Sequence, residues 1–176
     1  MTLITTCSAG EEHAALIAGI IRESFRETAA ILKITPDSHP NYAGFESADR
    51  VRTRLNSGDY AILAYSDDIA IGTVSYQIAP DSTDVGYIKR FAVLPNYRGL
   101  ELGQILINHA ERGLQKMGVI RAEISIVGQL KRLQRYYEGL GYQVFDQKTI
   151  PAFPFEIAFM GKSLSSLFPL SSRNSS

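Results

Sequence analysis

Hydrophobic and polar positions along this chain switch repeatedly between a period near two and one near 3.6. Leu3 to Thr6 alternates as a short strand. Glu11 to about Ile31 follows the helical period, with Ala15, Leu16, Ile20, Phe25 and Ala29 as its apolar positions and Ser8 as the expected N-cap. Thr35 to Gly44 contains two prolines, Asp37, Asn41 and a glycine, so it reads as a loop, and a second helix is expected from Ser47 to Asn56. Tyr60 to Tyr65 and Ile69 to Ile78 flank Ser66, Asp67 and Asp68 as a hairpin, and Val85 to Leu94 is a third strong strand. Leu102 to Met117 is predicted as a helix, Ala122 to Val127 as a buried strand, and Lys131 to Leu140 as a helix closed by Gly141. Tyr142 to Phe145 and Phe155 to Met160 complete the set as a strand pair. That order predicts an α/β fold, a mixed sheet flanked by helices.

Composition narrows the class. With 176 residues, 45% of them hydrophobic and 20% charged, the chain suits one globular domain, expected over residues 1–164, with a Ser-rich end over 165–176 expected to fray. One cysteine, Cys7, excludes an intrachain disulfide and the cysteine-rich zinc patterns, and no basic segment precedes an apolar core at the N-terminus, so a reducing cytoplasm is expected. No apolar run approaches the roughly 20 residues that cross a bilayer, so no membrane partner is expected. Three histidines, at 13, 39 and 109, are too scattered for a metal site. A neutral chain without a continuous basic stripe is a poor nucleic-acid binder. Charge is nonetheless uneven: residues 1–80 hold six Lys or Arg against ten Asp or Glu, and residues 85–142 hold nine against four. The second segment suits an anion and the first a cation, unless both are only solvated faces.

The most informative feature is the turn Arg98, Gly99, Leu100, Glu101, Leu102, Gly103. It joins a β-branched run ending at Val93 to an amphipathic stretch opening at Gln104. A strand feeding a glycine-containing turn into a helix gathers free backbone N–H groups and the positive end of a helix dipole, which suits phosphate. Gly99 and Gly103 would let oxygens approach the backbone, and Arg98 would add a charged donor. The alternative is ordinary turn chemistry after Pro95. No Gly-Lys-Ser or Gly-Lys-Thr ends the turn, which argues against a nucleotide kinase.

Val85 to Gly103, VGYIKRFAVLPNYRGLELG, resembles the cofactor motif of the GNAT N-acetyltransferases, and Lys131 to Tyr142, KRLQRYYEGLGY, is similar to that family's last helix and strand entry. The resemblance implies the GNAT-like acyl-CoA N-acyltransferase fold, whose central mixed sheet is mostly antiparallel. It implies acetyl-CoA as the acyl donor, with no metal, and an amine acceptor that attacks the bound thioester directly. It places the pantetheine arm along the backbone of Phe91, Ala92 and Val93, and the pyrophosphate on Arg98, Gly99, Leu100, Glu101, Leu102, Gly103 and Gln104. It makes the Tyr137 hydroxyl the general acid beside the departing sulfur, with Tyr136 as its neighbour.

Two positions depart from the family pattern: Glu101 stands where glycine is usual, and Leu130 where asparagine is frequent. The strand glutamate that often serves as base is also missing, its strand offering Tyr87 and Lys89. Glu46, His39, Glu123 or a water relay are the alternatives, and no base is assigned. The resemblance makes Thr35 to Glu46 and Thr149 to Glu156 walls of the acceptor site. There Tyr42, Phe45, Phe153 and Phe155 either line a pocket or anchor loops, and Asp37, Glu46 and Glu156 would meet an ammonium, which leans the acceptor towards a cation. Lys131, Arg132 and Arg135 either reach the 3′-phosphate of coenzyme A or form a solvated face. A homodimer joined along Phe153 to Met160 is compatible with the pattern. The rival reading is a non-catalytic acyl-CoA sensor or interaction module.

Overall fold

The computed structural model describes residues 3–99 and 101–165. Seven strands form one sheet: β1 (Ile4–Ala9), β2 (Tyr60–Ser66), β3 (Ile69–Ala79), β4 (Ser82–Val93), β5 (Arg121–Val127), β6 (Gln143–Thr149) and β7 (Glu156–Ser163). Their order is β1-β2-β3-β4-β5-β7-β6, and every neighbouring pair is antiparallel except β4 and β5. Helices α1 (Ala14–Ile31), α2 (Ala48–Asn56), α3 (Leu102–Lys116) and α4 (Lys131–Gly139) flank it.

Each face of the sheet has its own apolar layer. Ile62, Val74, Ile88, Val93 and Ile124 pack with Leu102, Leu106, Ile107 and Leu114 of α3. On the opposite face Ala61, Leu63 and Ala92 meet Ile17, Ile20 and Ile21 of α1 and Val51 of α2. The strands alternate between these layers, as a sheet covered on both sides requires. Close approach of α3 depends on Gly86, where an added Cβ would lie 2.4 Å from Leu114. A buried polar cluster pins the far end of α3: Tyr142 Oη donates to Glu111 at 2.8 Å, and Lys162 Nζ donates to both Glu111 oxygens at 2.9 and 3.0 Å.

Several expected boundaries move. Ser8 is not the cap of the first helix; it lies in β1, paired with Ile62, and a short 3-10 turn over Glu11–His13 leads into α1. Of the expected apolar positions of α1, Ile20 and Ala29 are buried and Phe25 is half-buried, whereas Ala15 and Leu16 face solvent and Ala14, Ile17, Ala18 and Ile21 complete the buried stripe. The second helix falls where it is expected, one residue shorter at its start, because the Ser47 side chain caps it by accepting from the Arg50 amide at 3.2 Å. β6 runs to Thr149, well beyond Phe145. The run Phe153 to Met160 enters β7, which β5 and β6 flank on both sides, so β6 is the free edge at this end of the sheet. The expected fraying tail lies, from residue 166, outside the described residues. No helix among the described residues is long and apolar enough to cross a membrane.

Candidate active site

Parallel pairing of β4 with β5 stops early. Val85, Gly86 and Tyr87 pair with Arg121, Ala122 and Glu123, and beyond Tyr87 the strands share no register pair. β4 stays in the sheet through β3, with Ala92 opposite Thr73 and Val93 opposite Gly72. β5 stays through β7 as far as Val127 opposite Ile157. The strands therefore part, and the edge of β4 from Ile88 to Val93 turned towards β5 has no strand partner among the described residues. Backbone groups on such an edge need a donor or acceptor from water or a ligand. An amide-bearing chain the width of one strand fits that requirement, so the pantetheine arm of coenzyme A suits Phe91, Ala92 and Val93.

The expected phosphate turn closes the same end of β4. Gly99 takes φ 82 with nothing near its missing Cβ, and Leu100 lies outside the described residues. Glu101, the N-cap of α3, takes φ 59, a left-handed conformation that costs a non-glycine residue about 1–2 kcal/mol. That is a local reason for glycine at this position, and Glu101 itself is exposed, making no side-chain cap bond. The first helical bond runs from the Ile105 amide to the Glu101 carbonyl at 3.1 Å, so the amides of Leu102, Gly103 and Gln104 precede the helical ladder. These three N–H groups and the dipole behind them suit a pyrophosphate.

Two residues of the turn are arranged otherwise than the sequence suggests. The Arg98 guanidinium is engaged with the α1 side of the molecule: Nη2 donates to the Ser24 carbonyl at 2.8 Å and Nε to the Val93 carbonyl at 3.3 Å. At Gly103 the space a Cβ would need belongs to the Tyr136 hydroxyl, 2.3 Å away, and the Phe91 ring, 2.9 Å away. This glycine makes room for a tyrosine from α4.

That tyrosine belongs to an aromatic group at the parted strands. Tyr136 stacks on Phe91 at 6.2 Å between centroids and an interplanar angle of 5°, while Tyr137 meets the same ring edge-on at 6.2 Å. Tyr136 is half-exposed. Tyr137 is buried among Phe91, Tyr136 and Tyr142, and its hydroxyl has no hydrogen-bond partner among the described residues. Burial, with a smaller contribution from Tyr136, pushes the Tyr137 phenol above its ordinary pKa. It therefore holds its proton at neutral pH and can only donate.

β4 also carries a bulge that the sequence does not announce. Register slips between Thr73 and Ser75, so Lys89 pairs with Ser75, Ala92 with Thr73, and Arg90 with Phe91 form the extra length. Arg90 takes φ 54, a conformation few non-glycine residues adopt in a strand. The kink sends two consecutive side chains to the α2 side: Lys89 to Asp59 at 2.8 Å and Arg90 to Glu46 at 3.1 Å. Glu46 also receives Arg54 and lies 3.4 Å from Arg50. Glu46 is thus buried beneath guanidinium groups and is not open to an acceptor ammonium, contrary to the expectation that it walls the acceptor site or serves as a base. The clues available in sequence were Glu46 at spacings of four and eight from Arg50 and Arg54, and adjacent Lys89 and Arg90 inside an apolar strand.

Among the other base candidates, His39 stacks on Phe153 at 6.5 Å, and Glu123 is paired with Arg121 at 2.9 Å. The aromatic loops pack mainly on each other. Tyr42 meets Phe25, Phe45, Phe153 and Phe155 edge-on at 6.1, 5.6, 6.4 and 6.4 Å, and Tyr42 and Phe155 are buried. These two are loop anchors, while Phe45 and Phe153 keep partly exposed surfaces. Among the described residues no group of three or more His, Cys, Asp or Glu is placed to hold a metal ion.

Residues 21–142 match the acetyltransferase (GNAT) family, and the chain belongs to it. A Bacillus subtilis (strain 168) protein with a provisional acetyltransferase description is 28% identical over 87 residues, which are 49% of this chain and 55% of that one. The chain thus spans about half the length of that curated relative. The fold is shared with PaiA N-acetyltransferase from Thermoplasma acidophilum, solved with coenzyme A, at TM-score 0.76 and 18% identity over 92% of this chain and 99% of that one. It is shared with the Escherichia coli ribosomal-protein-S18-alanine N-acetyltransferase at TM-score 0.73 and 14% identity, covering 99% of each chain. Salmonella typhimurium yncA, solved with acetyl-CoA, aligns at TM-score 0.67 and 18% identity over 92% of this chain and 94% of that one.

Proposed function

We propose that this chain transfers an acetyl group from acetyl-CoA to a primary amine, with Tyr137 as the general acid. The observation that carries the reading is the buried Tyr137 beside Phe91, where β4 parts from β5, with no hydrogen-bond partner for its hydroxyl among the described residues. Bound acetyl-CoA supplies the activated thioester that an amine can attack. The open edge of β4 at Phe91, Ala92 and Val93 orients the donor, and the amides of Leu102, Gly103 and Gln104 hold its phosphates against the α3 dipole. Arg98 ties α1 to the end of β4 and sets the position of the turn; reaching a phosphate would require it to leave the Ser24 carbonyl. The phenol of Tyr137 holds a proton for the departing sulfur, and its apolar surroundings strengthen the O–H hydrogen bond to that sulfur as charge develops there. Carbonyls on the open β4 edge orient the amine by accepting its N–H bonds, and water relays to bulk solvent the proton that the ammonium loses before attack; no side chain is assigned as the base. The free, exposed Cys7 fits the cytoplasmic setting proposed for the chain.

Release of coenzyme A thiol from acetyl-CoA, measured across a panel of amines alongside calorimetric binding of the donor, tests this directly. Amine-dependent release supports a transferase. Tight binding with no release across the panel favours the acyl-CoA sensor instead.

A further inference from the structure

The charge network on the α2 side of β4 is covered below and cationic above. The side chains of Glu46 and Asp59 are 0% and 2% exposed, whereas those of Arg50, Arg54, Lys89 and Arg90 are 32%, 18%, 28% and 24% exposed. Four cations against two carboxylates leave an excess of two positive charges, and the solvent-facing side carries it. Arg22 of α1 adds a further guanidinium by donating to the Glu46 carbonyl at 2.7 Å.

These cations are not equally available. Arg50 commits its terminal nitrogens to the carbonyls of Pro40, Asn41 and Phe45. Arg54 lies between Glu46 and Asp59, and Lys89 is held by Asp59. Arg90 reaches Glu46 through Nε alone, so its two terminal nitrogens have no partner among the described residues. They form a planar donor fork that matches a carboxylate or a phosphate in two-point contact. The fork belongs to the bulge residue next to Phe91, and the Arg90 bond to Glu46 sets it at the end of the Thr35 to Glu46 loop, the wall that the family resemblance gives the acceptor site.

We propose that the acceptor amine carries an anionic group, a carboxylate or a phosphate, that docks on the free fork of Arg90. The inference rests on the transferase reading above and replaces the cationic acceptor suggested by the acidic N-terminal segment. Two of the acids in that segment, Glu46 and Asp59, are covered by the very cations they hold. Burial and the neighbouring Arg54 both disfavour the charged form of Arg90, and a docked anion offsets both.

Acceptor pairs that differ only in the anion provide the test: an α-amino acid against its amide, and an aminoalkyl phosphate against the matching amino alcohol, each assayed by thiol release. The anionic member of at least one pair is expected to show roughly tenfold or higher kcat/KM, through a lower acceptor KM, and the pair that shows it identifies the anion. In Arg90→Lys, which keeps the charge and loses the fork, and in Arg90→Gln, the ratio within that pair should shrink towards one, with donor calorimetry reporting that the fold is intact. Equal or better use of the amide, the amino alcohol or a polyamine by the unaltered protein overturns the proposal, as does a preference that survives both substitutions. Transfer to no amine at all overturns the transferase reading itself, an outcome distinct from transfer without anion preference.

Discussion

Replacing Glu46 with glutamine removes one charge and almost no volume, so it isolates what the carboxylate does beneath its guanidinium groups. Arg54 and Arg90 both bond one oxygen of Glu46, and Arg50 Nε lies 3.4 Å from the other. An exposed ion pair would be worth roughly 0–1 kcal/mol, but this carboxylate is fully covered and none of its three arginine partners is more than 32% exposed. Loss of one member of a buried pair typically costs about 3–5 kcal/mol, because the remaining charges stay desolvated and repel one another. Against a total stability of about 5–15 kcal/mol for a domain, Glu46→Gln removes about a fifth or more. The chain has no tryptophan, so urea unfolding is best followed by far-ultraviolet circular dichroism. A double variant, Glu46→Gln with Arg90→Gln, should recover part of the loss, with a coupling of about 0.5–3 kcal/mol. A single-variant loss below about 1 kcal/mol, or strict additivity in the pair, would refute the buried network.

Three other expectations follow from named groups. Tyr137→Phe should lower kcat by roughly 100-fold or more while donor affinity by calorimetry stays within a factor of two or so; unchanged kcat would remove Tyr137 from the chemistry. Burial pushes Tyr42 up to about 12 and raises Tyr137 and Tyr142 further, so these phenols stay neutral in the folded protein while an unfolded chain ionises near pH ~10. Their contribution to stability is therefore full below about pH 10 and falls as pH rises through the folded values, and absorbance near ~295 nm should show them ionising only with unfolding, whereas early titration of all nine tyrosines would contradict the burial. Glu101→Gly relieves a left-handed residue and removes a carboxylate beside the phosphate turn, so acetyl-CoA should bind more tightly; weaker binding by calorimetry would mean that Glu101 assists the site.

The elements whose signals are local were legible in sequence. Ser47 caps α2 through a bond within one turn, and the hairpin between β2 and β3 closes at Asp67, which takes φ 52. Ser8 misled because its fate depends on β2, a partner more than 50 residues away that draws it into a strand. β6 extends past Phe145 through exposed polar residues that edge pairing with β7 orders without an apolar signature. In the site, the order of strand, turn and helix marked the amides at the start of α3, and the resemblance to the family marked the backbone of Phe91, Ala92 and Val93. The bulge at Arg90 did not show, since left-handed arginine has no sequence signal of its own and is held there by Glu46, which lies on a different element. The same distance between partners hid the burial of Glu46, so counting acids in the N-terminal segment included carboxylates that are covered by their own cations.

The central claim is that the gap between β4 and β5, closed by the first turn of α3, receives acetyl-CoA. Hydrogen exchange measured with and without saturating acetyl-CoA tests it most directly. The account predicts slowed exchange at amides between Ile88 and Val93 and at Leu102, Gly103 and Gln104, with little change at β1 and β2. Binding that leaves those amides unprotected, or no binding at all, would contradict it.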